Sequence, residues 1–370
     1  LASEVPAHGA PPSTHDWDAR RAYDTGWQRK LFDAGYAGIN WPKEYGGRDA
    51  TLIEQLIYFE EIARANAPYV GVNFVGILHG GPTIMAEGTD AQKAKHIRGI
   101  ISGEQVWCQG FSEPVAGSDL AGLQTRATRD GDHYVVNGHK IWTSFAQVAD
   151  YCELLVRTDP ETAKHDGLSW LILPMDLPGI DVRPLRTLTG MSEFNEVFLD
   201  EVRVPIDHRV GDENDGWRVA MVTFGFERGM AFAPELLQAR ELVEDVIAIA
   251  RANGALSDPS IGRELALVAA ELDAVWAYLR RLVSQADRGG LGCEPSVFKL
   301  SYGEARERLG RVSMRLLVRA GLALYDTLDQ AKADHVERTL TALSLSIAAG
   351  TSQVQRDIVG ERMLGLPRDR

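Results

Sequence analysis

The spacing of apolar residues along this chain changes period twice. From residue 16 to about 104 they recur every three or four positions. TLIEQLIYFEEIARANA is an example, with Leu52, Ile53, Leu56, Ile57 and Ile62 marking a helical face. From 105 to 208 they alternate, as in LQTRATRDGDHYVVNGHKIWTS. Short apolar runs follow (YCELLVRT, LSWLILPM, IDVRPL, NEVFLDEVRVP), separated by Pro, Gly and Asp. From about 213 the helical period returns. A period of 3.6 and a period of 2 cannot bury the same face, so the two textures belong to different layers. The order predicts an α+β chain with a helical domain at 1–104, an antiparallel β-barrel or sandwich domain at 105–208, and a helical domain at 209–370.

Local signals refine this outline. Thr89 or Asp90 is the expected N-cap of the helix in DAQKAKHIRGIIS, and Gly103 its stop. Gly131-Asp132 and Asn137-Gly138 read as turns. Asn214 or Asp215 caps the helix that begins NDGWRVAM. ANGALSDPS breaks the helices after it, and Ala349-Gly350 interrupts two further helical patterns.

The formal net charge of −13 argues against a nucleic-acid or anionic-membrane partner. No apolar run approaches the ~20 residues of a membrane helix, and PAHGAPPSTHD carries no signal-peptide pattern. Cys108, Cys152 and Cys293 are far apart, with no CxxC or Cys/His cluster, so no metal site is expected and a reduced, cytoplasmic setting is.

One stretch resists a structural reading. FGFERGMAF, residues 224–232, sets Glu227 and Arg228 among aromatic and small residues. Trp217, Ala220, Met221 and Phe224 form the apolar stripe of that helix, and Glu227 lies within ~20° of Ala220 around its axis. A carboxylate there is either half of a buried Glu–Arg pair or a general base whose pKa the aromatic surroundings raise. Spacing leaves both open.

Longer motifs bear on the choice. QVWCQGFSEPVAGSDL at 105–120 and NGHKIWTSFA at 137–146 resemble the acyl-CoA dehydrogenase family. So do INWPKEYGG at 39–47, DEVRVPIDHRVGDENDGWRVAM at 200–221 and AGTSQVQRDIVGER at 349–362. The resemblance spans nearly the whole chain, in order. It implies an N-terminal helical domain, a middle β domain and a C-terminal four-helix bundle. It also implies FAD as cofactor, an acyl-CoA thioester as substrate and an electron-transfer flavoprotein as electron acceptor. In the family a carboxylate removes the α-proton and flavin N5 takes the β-hydrogen as hydride. Most members carry that carboxylate in a Tyr-Glu-Gly-Thr loop. Here the loop reads Ala348-Ala349-Gly350-Thr351, so the glutamate is absent. A minority place it before an Arg on the first long helix of the C-terminal domain, the position of Glu227-Arg228. The resemblance therefore implies Glu227 as base. It leaves the Ala349 N–H to hold the thioester carbonyl, and gives Arg228 a supporting place near substrate. It also implies flavin contacts at Phe111, Ser112, Gly117, Ser118, Trp142, Ser144, Thr351 and Gln353.

Two family elements that reach FAD across a subunit interface are missing. ARANGALSDPSIG lacks the Arg-x-x-Phe-Gly pattern, leaving Arg251 alone. LLVRAGLALYDTLDQ has one glycine where the family has a Gln-x-x-Gly-Gly-x-Gly run. Either a homo-oligomer builds its adenosine site differently, or a paralogous chain completes it in a heteromer, as in a branch of the family that takes bulky steroid side chains. The rival readings are a non-catalytic or half-site subunit, and an oxygen-using flavin oxidase or monooxygenase of the same fold.

Overall fold

The computed structural model describes residues 1–13, 15–227, 233–289, 292, 294–317 and 330–368. They fall into two units, one of Leu1–Thr51 with Ala65–Glu227 and the other of Leu52–Arg64 with Arg228–Arg370. The elements alternate as expected: helices, then strands, then helices.

The first unit opens with α1 (Glu4–His8) and α2 (Trp17–Asp33). After α3 (Leu52–Arg64), which belongs to the second unit, come α4 (Gly81–Glu87) and α5 (Asp90–Ser102). Thr89 is the N-cap of α5, closing a capping box with Gln92, and Gly103 ends the helix at φ 78°.

The strands are β1 (Trp107–Gly110), β2 (Arg126–Asp130), β3 (His133–Ser144), β4 (Tyr151–Arg157), β5 (Leu168–Pro174), β6 (Ile180–Leu185), β7 (Phe194–Pro205) and β8 (Arg209–Val210). They make one hydrogen-bonded sheet in the order β6-β7-β3-β2-β4-β5-β8, with β1 joined to β4. Most pairings are antiparallel, but β1–β4 and β2–β4 are parallel. Gly131 turns the β2–β3 hairpin at φ 62°.

Asn137-Gly138 does not turn the chain. It lies inside β3, where the register against β7 slips between Val136 and Gly138. The Asn137 side chain is spent on Glu201, accepting from its N–H at 2.9 Å and donating to its carboxylate at 2.7 Å. A Cβ on Gly138 would stand 2.3 Å from Thr125 Oγ1, so close approach rather than a reversal explains the glycine.

A sheet core of Tyr134, Val136, Leu154, Val156, Leu171, Leu173, Val197 and Val202 packs with Cys108 and Cys152, which are free and buried. Cys293 lies outside the described residues. Set into this unit is a fully buried Lys140. Its Nζ donates to the Glu113 carboxylate at 2.9 Å and to the Phe111 carbonyl at 3.1 Å. Glu113 also accepts from the N–H groups of Gln124 at 2.6 Å and Thr125 at 2.8 Å. Burial pushes the Glu113 carboxyl up, but the Lys140 charge and these donors outweigh it and hold it below the usual carboxylate range. Burial likewise pushes Lys140 down, against the pull of Glu113. The unit ends in α6 (Gly216–Glu227), which packs on α4 and β5.

The second unit contains α3, α7 (Ala233–Ala252), α8 (Pro259–Gly289), α9 (Glu294–Leu317), α10 (Gln330–Ala342) and α11 (Ser352–Ile358). α8 packs on α7 and α9, and α9 carries α10 and α11. α3 lies on α7 and α8, burying Gln55, Leu56, Phe59 and Ile62. Ile53 and Ile57, placed by periodicity on the buried face, are 47% and 54% exposed. No described helix is long and apolar enough to cross a membrane.

Removing one partner of a buried ion pair costs ~3–5 kcal/mol, because the other charge stays buried. Lys140→Met should lower the unfolding free energy by about that much in urea titration, and the double variant Lys140→Met/Glu113→Gln should recover a large part of it. Since Glu113 is held below its ordinary value, its contribution is complete at neutral pH and fades as pH falls through the folded value. The gap between parent and Lys140→Met should therefore narrow in acid.

Candidate active site

β1 runs out at Gly110 into Phe111 and Ser112, two of the residues the sequence pointed to. Both are tied to β3. Lys140 holds the Phe111 carbonyl, and the Ile141 N–H donates to the Ser112 carbonyl at 3.0 Å. Main-chain bonds between Glu113 and Ala116, at 3.1 and 3.0 Å, then close a tight turn through Pro114-Val115. Gly117 and Ser118 follow on the surface, and a Cβ on Gly117 would meet nothing within 4 Å.

Beside this loop β3 is irregular between Lys140 and Thr143. Trp142 adopts φ 60° and its indole is 56% exposed, touching Phe194 edge-on at 5.8 Å. A left-handed conformation costs a residue with a side chain ~1–2 kcal/mol. A strained, exposed tryptophan at an irregular point of a strand is a feature that packing does not require. Ser144, half-buried, pairs with Phe194 in the ladder. The structure thus brings Phe111, Ser112, Trp142 and Ser144 to one end of β3. The exposed indole, the Gly117-Ser118 turn and the anchored 111–112 main chain fit a planar ring with a polar edge.

The same unit holds the helix of the candidate base. Val219, Ala220 and Thr223 of α6 are fully buried. Thr223 Oγ1 meets Thr83 Oγ1 of α4 at 2.9 Å, and the Phe224 ring stands edge-on to Phe111 at 5.8 Å. Met221, expected in the apolar stripe, is instead 38% exposed. Glu227 is the last residue of α6, one turn on from Thr223 and Phe224. Arg228 lies outside the described residues. A cavity of about 450 Å³ lined by Trp41, Tyr45, Met85 and Phe226 meets a different face of α6, since Phe226 lies two residues, or ~200°, from Phe224.

In the second unit Leu343–Ser346 forms a short 3₁₀ turn, and Ala349 and Gly350 follow at φ 52° and 82°. Thr351 then caps α11, accepting from the Val354 N–H at 3.2 Å, and Gln353 is exposed on its first turn. Arg251 is exposed near the end of α7. Most of LLVRAGLALYDTLDQ lies outside the described residues. Among the described residues no cluster of three or more His, Cys, Asp or Glu could hold a metal.

Sequence reasoning missed the Lys140–Glu113 pair, although a signal was present. Lys140 shares the strand parity of Tyr134 and Val136, both buried, and a lysine on an inward face calls for a carboxylate. The Thr83–Thr223 contact, 140 residues apart, left no such trace.

Comparison with known proteins matches the three-domain order. Residues 4–104, 108–202 and 214–364 match the N-terminal, middle and C-terminal domains of acyl-CoA dehydrogenase. Acyl-CoA dehydrogenase IpdE1 of Mycobacterium tuberculosis is 38% identical over 370 residues, covering 98% of this chain and 92% of that one. Acyl-CoA dehydrogenase FadE26 of the same organism is 37% identical, over 90% of this chain and 86% of its own. Among solved structures, the Tcur3481-Tcur3483 steroid ACAD superposes with a TM-score of 0.85 at 36% identity, over 93% of this chain and 89% of that one. The ChsE4-ChsE5 complex of Mycobacterium tuberculosis gives 0.80 at 34%, over 95% and 91%. With its three domains matched in order and a relative 38% identical over nearly its whole length, the chain belongs to the acyl-CoA dehydrogenase family, whose members are oxidoreductases.

Proposed function

We propose that this chain dehydrogenates an acyl-CoA thioester to the trans-2-enoyl-CoA, with FAD as cofactor and Glu227 as base. The observation that carries the reading is the placement of α6. The helix that ends at Glu227 is joined to the β-domain loop by Phe224 on Phe111, and to α4 by Thr223 on Thr83. FAD, when bound, supplies the acceptor for the hydride that leaves the β-carbon with its electron pair.

The chain's own residues do the rest. Glu227 takes the α-proton. The Ala349 N–H donates to the thioester carbonyl, stabilising negative charge on its oxygen as that proton departs. Phe111, Ser112, Trp142 and Ser144 receive the flavin ring, Gly117 and Ser118 its phosphate side, and Thr351 and Gln353 the adenosine half. Arg228 has a supporting place near substrate. An electron-transfer flavoprotein is the expected electron acceptor.

We assign a bulky, steroid-type acyl group and a paralogous partner chain, which would supply the flavin contacts this sequence lacks. The likeness to a steroid ACAD and to a two-protein complex supports this. A half-site role is the second reading, favoured by the same missing contacts. It predicts that this chain copurifies with flavin only beside its partner.

Mixing acyl-CoAs with the purified flavoprotein under anaerobic conditions should bleach the flavin, faster with a steroid acyl-CoA than with a short straight one. Glu227→Gln should keep the fold and bound flavin and slow bleaching by ~10²–10⁴; bleaching at the parent rate would remove Glu227 from its role. Trp142→Gly relieves a left-handed φ, so the apoprotein should melt no lower than the parent. Its flavin should bind about two- to tenfold more weakly, since a stacked ring is worth ~0.5–1.5 kcal/mol. A titration with FAD should show tighter binding once the partner chain is added, and equal affinity with and without it would count against a shared site.

A further inference from the structure

The short loop around Ala349 is held by two side chains that the chemistry above does not use. Lys299 of α9 is 7% exposed, and its Nζ donates to the carbonyls of Leu345 at 2.8 Å and Gly350 at 2.6 Å. Gln355 of α11 is also 7% exposed, and its Nε2 donates to the Ala349 carbonyl at 3.1 Å. The loop is thus gripped at both ends and in the middle. Gly303, one turn beyond Lys299, faces the same segment, and a Cβ there would only reach ordinary contact with the Leu345 carbonyl, at 3.4 Å.

The gripped segment is in an unfavourable conformation. Ala349 and Gly350 are consecutive left-handed residues, at φ 52° and 82°. The alanine alone costs ~1–2 kcal/mol relative to an ordinary conformation. A Cβ on Gly350 would stand 2.6 Å from Gln355 Nε2, so a side chain at this position would push the Gln355 amide off its bond to the Ala349 carbonyl. The N–H groups of Ile347 and Ala348 both donate to the Ser344 carbonyl, at 2.9 and 2.8 Å. That turn is complete before Ala349 is reached. Residues 347–350 are nevertheless exposed. Packing therefore does not impose the left-handed pair, and the two side-chain donors are the contacts that hold its carbonyls.

We propose that Lys299 and Gln355 are positioning residues for the carbonyl-polarising N–H of Ala349. Gln355 fixes the 349–350 peptide plane through the Ala349 carbonyl, and the Ala348 N–H bond to Ser344 fixes the 347–348 plane. With Lys299 holding the carbonyls of 345 and 350, the plane between them, which carries the Ala349 N–H, is constrained from both sides. This rests on the thioester-carbonyl role assigned to that N–H above.

The test uses the flavin-loaded protein with its partner chain, where one copurifies. Hydrogen exchange of a peptide covering 343–355 is compared in the parent, Lys299→Met, Lys299→Arg and Gln355→Ala. Exchange in the Met and Ala variants should quicken at least tenfold, and the Arg variant should stay near the parent. Each protein is then bound to the 1-¹³C-labelled trans-2-enoyl-CoA of the acyl group that bleaches the flavin fastest. Isotope-edited infrared spectra read the thioester carbonyl. The parent should show a carbonyl stretch shifted to lower frequency than in free ligand, and Lys299→Met should lose most of the shift. Its kcat should fall ~10–100-fold, less than the ~10²–10³ lost when such a donor is removed outright, with KM moved much less. If Lys299→Met does not fold, Gln355→Ala should show the same loss at smaller size. Unchanged exchange, or quickened exchange with the carbonyl shift and kcat kept, overturns the positioning role. A parent with no shift overturns the Ala349 reading itself, while Glu227 is judged separately by flavin bleaching.

Discussion

The buried contact of Lys140 with Glu113 is the interaction on which the first unit's candidate site depends. A lysine with no exposed surface is tolerated only when its charge is matched and its protons are used. Here one donor goes to a carboxylate and one to the Phe111 carbonyl. Glu113 spends its remaining capacity on two main-chain N–H groups. The pair thus ties the segment after β1 to β3 and to the start of β2. With the loop held, the Phe111 ring has a defined place against Phe224, and α6 is registered on the sheet by that contact.

The second unit repeats the same physical device. Lys299, nearly buried, gives its protons to main-chain carbonyls, and the segment it holds contains a non-glycine residue in the left-handed region. Trp142 and Ala349 are alike in this respect. Each is strained and exposed, and near each a buried lysine bonds main-chain carbonyls: Lys140, two residues before Trp142, holds Phe111, and Lys299 holds Gly350, next to Ala349. Strained backbone survives where the surroundings over-determine it. Both positions coincide with residues that the family resemblance gives to flavin or thioester.

The element order was legible because periodicity survives any tertiary arrangement. Caps were nearly as clear, with Thr89 and Gly103 delimiting α5 as their chemistry demands. Misreadings came where a residue serves a distant partner. Asn137-Gly138 has the composition of a hairpin turn, yet its glycine makes room for Thr125 and its asparagine bonds Glu201. Ile53, Ile57 and Met221 are apolar at helical spacing and still exposed. Periodicity reports that a face is apolar, not that something in the same chain covers it.

The residues alone determined which segments are helix and which are strand, and the motif at 105–120 with 137–146 was enough to place the chain in its family. Tertiary structure alone decided that α6 packs with the sheet while α3 packs with the C-terminal helices. It also decided that Lys140 and Lys299 are clamps rather than solvated charges. The reason is range. Secondary structure is set by neighbours a few positions away, which the linear order preserves. Lys140 to Glu113 spans 27 residues and Lys299 to Gly350 spans 51, and a contact at such separation leaves almost no mark on local pattern.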